Sequence, residues 1–168
     1  MAWIAKIQYY TGLFQPNMHE IMPGLWLGNI ASAYDKTVLQ QHDITHILCI
    51  TGHGIDVAFH TQDFKYCVLT ADDNVEQPIS LFFDTSNNFI KQAMSQKHNV
   101  LVHCMFGRSR SATLVAAFLI QHMHFTPMAA FAYLRMKRPV VCPNPGFITQ
   151  TYHWAMDNNL FYRNLLNK

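Results

Sequence analysis

Asn99-Val100-Leu101-Val102-His103-Cys104-Met105-Phe106-Gly107-Arg108-Ser109-Arg110-Ser111-Ala112-Thr113-Leu114-Val115-Ala116-Ala117-Phe118-Leu119-Ile120 sets a strand, a loop and a helix in immediate succession. Val100 to Val102 is a short apolar run of the kind that makes a buried strand. Gly107 marks the loop, and a helix is expected to begin near Ser109 to Ser111. The run after Arg110 is apolar on every side, which predicts a central buried helix. A strand feeding a glycine-bearing loop and then a helix gathers backbone N–H groups around an anion. The helix N-terminus adds partial positive charge at the same point.

Cys104 opens that loop. There its thiolate would be stabilised by the helix terminus, the loop N–H groups and nearby arginine, settings that lower a thiol pKa from about 8.5 to roughly 3.5–7.5. Such a cysteine is a nucleophile at neutral pH. Arg110, in the first helical turn, carries a fork that can hold two oxygens of one phosphate. The N–H groups of Met105, Phe106, Gly107, Arg108, Ser109 and Arg110 would take the remaining oxygens. Both sets suit a charge-rich phosphoryl transition state. A cysteine at a strand end is ordinarily a small buried hydrophobe, which is the reading for Cys49 and Cys67. His103 and Cys104 could be half of a metal site, yet no second pair has ligand spacing. A chance match to His-Cys-x-x-Gly-x-x-Arg-Ser is on the order of one in 10⁵ for a chain of this length.

Outward from this stretch the chain alternates strand-like and helix-like segments, the pattern of an α/β domain. Leu25 to Leu27, His46 to Ile50 and Tyr66 to Leu69 read as buried strands. Ala31 to Gln41 reads as one helix, and Ile79 to Gln96 as another. Pro127 after Thr126 starts a helix that should end before Pro139, and Asn144-Pro145 repeats the signal for a helix to about Asn159.

The chain has 168 residues, enough for one domain. Half of them are hydrophobic, 13% are charged, and the formal net charge is +2. That balance is too weak to argue for nucleic acid, and Arg135 to Arg138 is the one short basic cluster. No apolar run approaches a membrane span. Four cysteines without a C-x-x-C pair or a signal peptide predict a reduced, intracellular protein, cytoplasmic or nuclear.

The sequence resembles the dual-specificity branch of the protein tyrosine phosphatases. Residues 103–111 match the family signature His-Cys-x5-Arg-Ser without a gap. Ile21-Met22-Pro23-Gly24-Leu25-Trp26-Leu27-Gly28 resembles the family's first strand, and Leu39 to Ile50 its next helix–strand unit. Arg138-Pro139 with Pro143-Asn144-Pro145-Gly146-Phe147 resembles its C-terminal signature. The resemblance implies a central, mostly parallel, twisted sheet flanked by helices. It divides the chain into an N-terminal helical extension at 1–17, a catalytic domain at 18–160 and a tail at 161–168. Two copies could pair through the extension, whose Trp3, Ile4 and Ile7 have amphipathic spacing.

The resemblance also implies a mechanism without metal or cofactor. Cys104 attacks phosphorus, and a general acid protonates the leaving oxygen and later acts as base. That acid lies in Thr70-Ala71-Asp72-Asp73-Asn74. The register counted from Tyr66 favours Asp73 over Asp72, and the other carboxylate would be a loop acid. Ser111 matches the hydroxyl that donates to the thiolate, although Ser109 or Ser111 could simply cap the helix. His103 matches a histidine that orders the loop and helps ionise the cysteine. Cys49 stands where the family often has Asn; it is either a resolving partner for Cys104 or a buried structural thiol. The implied substrate is a protein carrying phosphotyrosine or phosphoserine/threonine. RNA 5′-triphosphate and phosphoinositide are rival substrates, and a silent phosphate-binding scaffold is a rival from another class.

Overall fold

The computed structural model describes residues 15–53 and 59–161. The helix expected over 1–17, pairing of two copies through it, and the tail beyond 161 lie almost wholly outside those residues. The described elements are β1 (Met18–Met22), β2 (Leu25–Gly28), α1 (Ile30–Tyr34), α2 (Lys36–Gln41), β3 (Ile44–Thr51), β4 (Lys65–Thr70), a 3₁₀ turn (Ile79–Phe82), α3 (Phe83–Ser95), β5 (Asn99–His103), α4 (Arg110–Met123), α5 (Pro127–Lys137) and α6 (Pro145–Asp157).

The sheet order is β1-β2-β5-β3-β4. β2, β5, β3 and β4 run parallel, and β1 pairs antiparallel with β2 at the edge. The expected mostly parallel α/β sheet is therefore present. Side chains alternate faces with period two. Leu48, Ile50, Val100 and Val102 face one core, with α3 and α4 packed on it. Ile47 and Leu101 face the other, against Ala33, Leu39 and Phe64. Each such aliphatic side chain contributes about 1.5–3 kcal/mol on burial. Ala112 to Ile120 of α4 is buried throughout, as its unbroken apolar run requires.

Four elements depart from the sequence reading. Tyr66 to Leu69, expected as a buried strand, lies in the edge strand β4, where Tyr66 and Cys67 are half-buried, Val68 is exposed and Leu69 is buried. The helix expected over Ala31 to Gln41 is two helices. Asp35 leaves the helical region (φ −83°, ψ 97°), its N–H closes α1 on the Ala31 carbonyl, and its carboxylate accepts from Val38 N to cap α2. Aspartate favours a cap over a helix interior because its short side chain competes for backbone donors. The helix at Ile79 starts as a 3₁₀ turn, with α3 proper from Phe83. Finally, Ile21 to Gly28 is not one strand. Pro23-Gly24 turns the chain, Gly24 adopts φ +85°, and Met18–Met22 becomes a separate edge strand.

This arrangement puts Cys104 at the carboxyl end of the central strand β5. Ala71 to Asp73 leave the carboxyl end of β4, with Ala71 N held by Thr51 O at 2.8 Å. Loops at that end of a parallel sheet are where ligands bind.

Candidate active site

Every carbonyl from Cys104 to Ser109 is held by a donor outside the centre of the loop. The Cys104 carbonyl accepts from His103 Nδ1 (3.4 Å), and that of Met105 from Ile30 N (3.1 Å). Arg138 takes two, donating from Nη2 to Phe106 O (3.2 Å) and from Nε to Gly107 O (2.9 Å). Cys142 N donates to Arg108 O, and Thr113 N and Oγ1 donate to Ser109 O, each at 2.9 Å. A peptide plane whose C=O is fixed outward turns its N–H the opposite way. The loop is thereby wound into a nest of N–H groups, the anion-binding form.

Gly107 is the residue this winding requires. It has φ +65°, and a Cβ there would meet Gly28 O at 2.3 Å. The conformation alone costs any other residue about 1–2 kcal/mol, before the backbone clash. Gly107→Ala is expected to lower the melting temperature and cut kcat/KM by about 100-fold or more. An alanine variant with wild-type kinetics would contradict the loop geometry.

Cys104 is almost fully buried. Burial pushes its thiol pKa up, but the opposing forces win and it lies below the ordinary value. Those forces are the Arg110 charge, then hydrogen bonds from the Ser111 side chain and from the backbone of Ser111 and Arg108. Ser111 Oγ donates to Cys104 Sγ at 3.2 Å, and Gly107 N donates at 3.2 Å. Ser111 thus serves the thiolate and does not cap α4. Ser109 occupies the cap position, yet its hydroxyl makes no cap bond either. It donates instead to Asp73 Oδ1 at 2.7 Å.

Arg110 is anchored by Nη1 on the Ala71 carbonyl at 3.1 Å. Its Nε lies 3.5 Å from Asp73 Oδ2, within ion-pair reach, but makes no hydrogen bond among the described residues. A buried, charged donor of this kind is suited to a phosphate oxygen. The two candidate acids part company here. Asp73 meets Ser109, Arg110 and Asn144, whose Nδ2 donates to Oδ1 at 2.9 Å. Asp72 turns to His53 Nδ1 at 3.3 Å, both side chains being exposed.

His103 is fully buried, and burial pushes its pKa down to about 4 against the backbone hydrogen bond to Cys104. It is neutral at physiological pH, so it orders the loop and adds no positive charge to the thiolate. Desolvation, which disfavours the imidazolium, is the cause. Cys49 stands beside His103 in the β3–β5 ladder and packs with Ile30, Phe59 and Met105. Cys104 belongs to the core on the other face. The thiol of Cys49 is thus fully buried among apolar side chains. Met105 is half-buried, whereas Phe106 and Arg108 are exposed. Among the described residues, no group of three or more His, Cys, Asp or Glu is placed to hold a metal. No described helix is long and apolar enough to cross a membrane.

Two residues escaped the sequence reading as site residues. Arg138 looked like part of a basic cluster, yet it is 1% exposed and holds the loop. Asn144 looked like a helix cap, which it is, but it also grips Asp73. A side chain's second hydrogen bond leaves no signal in the local sequence.

The sequence matches the dual specificity phosphatase catalytic domain over residues 25–157. It is 40% identical to Dual specificity protein phosphatase 1 of Arabidopsis thaliana over 77% of this chain and 65% of that protein. It is also 40% identical to the Serine/threonine/tyrosine-interacting protein of Homo sapiens, over 84% of this chain and 66% of that protein. The chain thus spans about two thirds of the length of these relatives. The solved human tyrosine phosphatase-like serine/threonine/tyrosine-interacting protein aligns with a TM-score of 0.80 and 37% identity, covering 84% of this chain and 97% of that one. The structure of DUSP15 aligns at 0.77 and 32%, over 90% and 96%. With the loop geometry and the domain match in agreement, this chain belongs to the dual specificity phosphatase catalytic-domain family.

Proposed function

We propose that this protein is a cysteine-dependent phosphatase acting on phosphotyrosine and phosphoserine/threonine in proteins. The observation that carries this is the set around Cys104: Sγ bonded by Gly107 N and Ser111 Oγ, under the Arg110 charge, with Asp73 across from Arg110. The Cys104 thiolate attacks phosphorus as the bond to the substrate oxygen breaks. Asp73 gives that oxygen a proton. Arg110 and the N–H groups of 105–110 hold the three phosphoryl oxygens, whose charge is greatest in the transition state. Water then attacks the cysteinyl-phosphate, the Asp73 carboxylate takes its proton, and phosphate leaves with the S–P bond broken. The Ser111 hydroxyl stabilises the departing thiolate, and His103 keeps the loop in register. No metal or cofactor takes part in this scheme.

Phe106, Arg108 and Val140 line a surface cavity of about 300 Å³ beside the loop. Gln15, Asn17, Asn29 and Arg138 complete its wall. A reducing compartment, cytoplasmic or nuclear, belongs to the same reading, since four cysteines without a C-x-x-C pair suit a protein that works through a thiol.

Hydrolysis of a phosphotyrosine peptide, sensitive to vanadate and faster than release from RNA 5′-triphosphate or a phosphoinositide, is the direct test. Asp73→Ala should reduce kcat by about 100-fold or more, the usual contribution of a positioned acid. Asp72→Ala should stay within about threefold, since the exposed His53 contact is worth little. The reverse order would transfer the acid to Asp72.

A second reading is a phosphate-binding interaction module, favoured by the 40% identity to a protein named for interaction. The activated setting of Cys104 argues against it, because a binding module has no need of a thiolate. Absence of any vanadate-sensitive turnover would establish it.

A further inference from the structure

Asp72 to Glu76 are exposed and belong to no strand or helix. Asn74 Oδ1 stabilises a local turn by accepting from Glu76 N (3.1 Å) and Gln77 N (2.9 Å). The turn's position over the catalytic loop comes from α6. Asn144 Nδ2 donates to Asp73 Oδ1 (2.9 Å) and Asn74 O (3.3 Å), while its Oδ1 accepts from Phe147 N (2.9 Å). Gln150 Nε2 donates to Gln77 O (2.9 Å), and its Oε1 accepts from Ser80 N (3.3 Å). Gly146 lies so close to the turn that a Cβ would meet Val75 O at 2.0 Å. Ser109 completes the connection: its Oγ donates to Asp73 Oδ1 and accepts from Asn144 N at 3.1 Å.

Asp73 Oδ1 is thus gripped by two donors from two elements, one on the catalytic loop and one on α6. A carboxylate pinned at one oxygen presents the other at a fixed place, here beside Arg110. We propose that Asn144 and Gly146 are positioning residues for the general acid, and that the N-terminus of α6 is a latch that registers the acid turn against the catalytic loop. Asn144 supplies the grip and Gly146 permits the approach. The proposal rests on the reading of Asp73 as the acid. Its chemical consequence is selective: latch variants lose rate where the leaving oxygen needs a proton, and much less where it does not.

The test uses the full chain with Asn144→Ser and Gly146→Ala. Serine caps a helix as well as asparagine does, but is too short to reach Asp73. Alanine at 146 improves helix propensity while pushing on Val75, so neither variant acts by weakening the helix itself. Rates are measured on a phosphotyrosine peptide and on an aryl phosphate whose phenol is strongly acidic, with inhibition by inorganic phosphate as a check on the loop. Both variants should lose about 10–100-fold in kcat on the peptide, the scale of an ångström-level misplacement. That loss should exceed the loss on the activated ester by about tenfold, and phosphate inhibition should change little. Equal losses on both esters, or wild-type kinetics in both variants, would overturn the latch. Asp73→Asn separates the two ideas. If it loses far more rate on the peptide than on the activated ester while Asn144→Ser and Gly146→Ala resemble wild type, only the latch fails. If Asp73→Asn keeps the wild-type dependence on leaving group, the acid assignment fails and the latch with it.

Discussion

Cys104→Ser should abolish turnover, by about 10⁴-fold or more, while phosphate and vanadate still bind. The loop N–H groups and Arg110 hold an anion whatever residue stands at 104, but a serine hydroxyl remains protonated in a site that ionises a thiol. Even bonded to Ser111 and facing Arg110, it stays a neutral hydroxyl, a far weaker nucleophile than the thiolate it replaces. Calorimetric titration with phosphate, beside a turnover assay, checks both halves; residual turnover within about 100-fold of wild type would sink the mechanism. The wild-type pH profile follows from the same site. The Cys104 pKa is held below the ordinary thiol value, chiefly by Arg110 against the opposing pull of burial. The reactive thiolate therefore persists to lower pH than an ordinary cysteine allows. Activity should rise through that lowered pKa as pH increases.

Arg110→Lys should be the next most damaging change, although it conserves charge. The guanidinium does three things at once: Nη1 bonds the Ala71 carbonyl, Nε lies 3.5 Å from Asp73, and the cation lowers the Cys104 pKa. A lysine ammonium can approximate the last of these and one hydrogen bond. It cannot brace the acid turn while presenting two parallel donors to a phosphoryl group. Removing one preorganised donor costs about 10²–10³ in kcat. Losing the fork together with its brace on Ala71 should put kcat/KM down by about 10³ or more. Steady-state kinetics on a phosphotyrosine peptide measures it. A lysine variant within tenfold of wild type would show that charge alone suffices and that the fork is incidental.

The extent to which the site was legible depends on how far each interaction reaches along the chain. Cys104, Gly107, Arg110 and Ser111 lie within a single strand–loop–helix unit. Their spacing there already dictates which groups can converge on one anion. The helices at Pro127 and Pro145 were equally plain, since proline at a first turn and a capping Thr126 or Asn144 act within four residues. Asp35 was misread because an apolar pattern ran through it. Its capping bond to Val38 outcompeted helix continuation, and pattern alone does not weigh that contest. The edge strand β1 was hidden because Met18–Met22 carries His19 and Glu20 and takes its ladder bonds from β2 alone.

The chemistry of the catalytic loop is determined by sequence alone: a cysteine before a nest, and an arginine fork at the following helix. Local backbone geometry leaves little choice once strand, glycine and helix stand in that order. Tertiary structure decided what holds the loop and what it works with. Arg138 reaches it from the end of α5 and fixes two of its carbonyls. Asp73, not Asp72, meets it because the turn after β4 is clasped by Ser109 and Asn144. Burial leaves His103 neutral, and the alternation of β3 and β5 sends Cys49 to the other face from Cys104. These outcomes depend on which distant segments share a neighbourhood and on how much water the fold removes, and neither is encoded within a single stretch of chain.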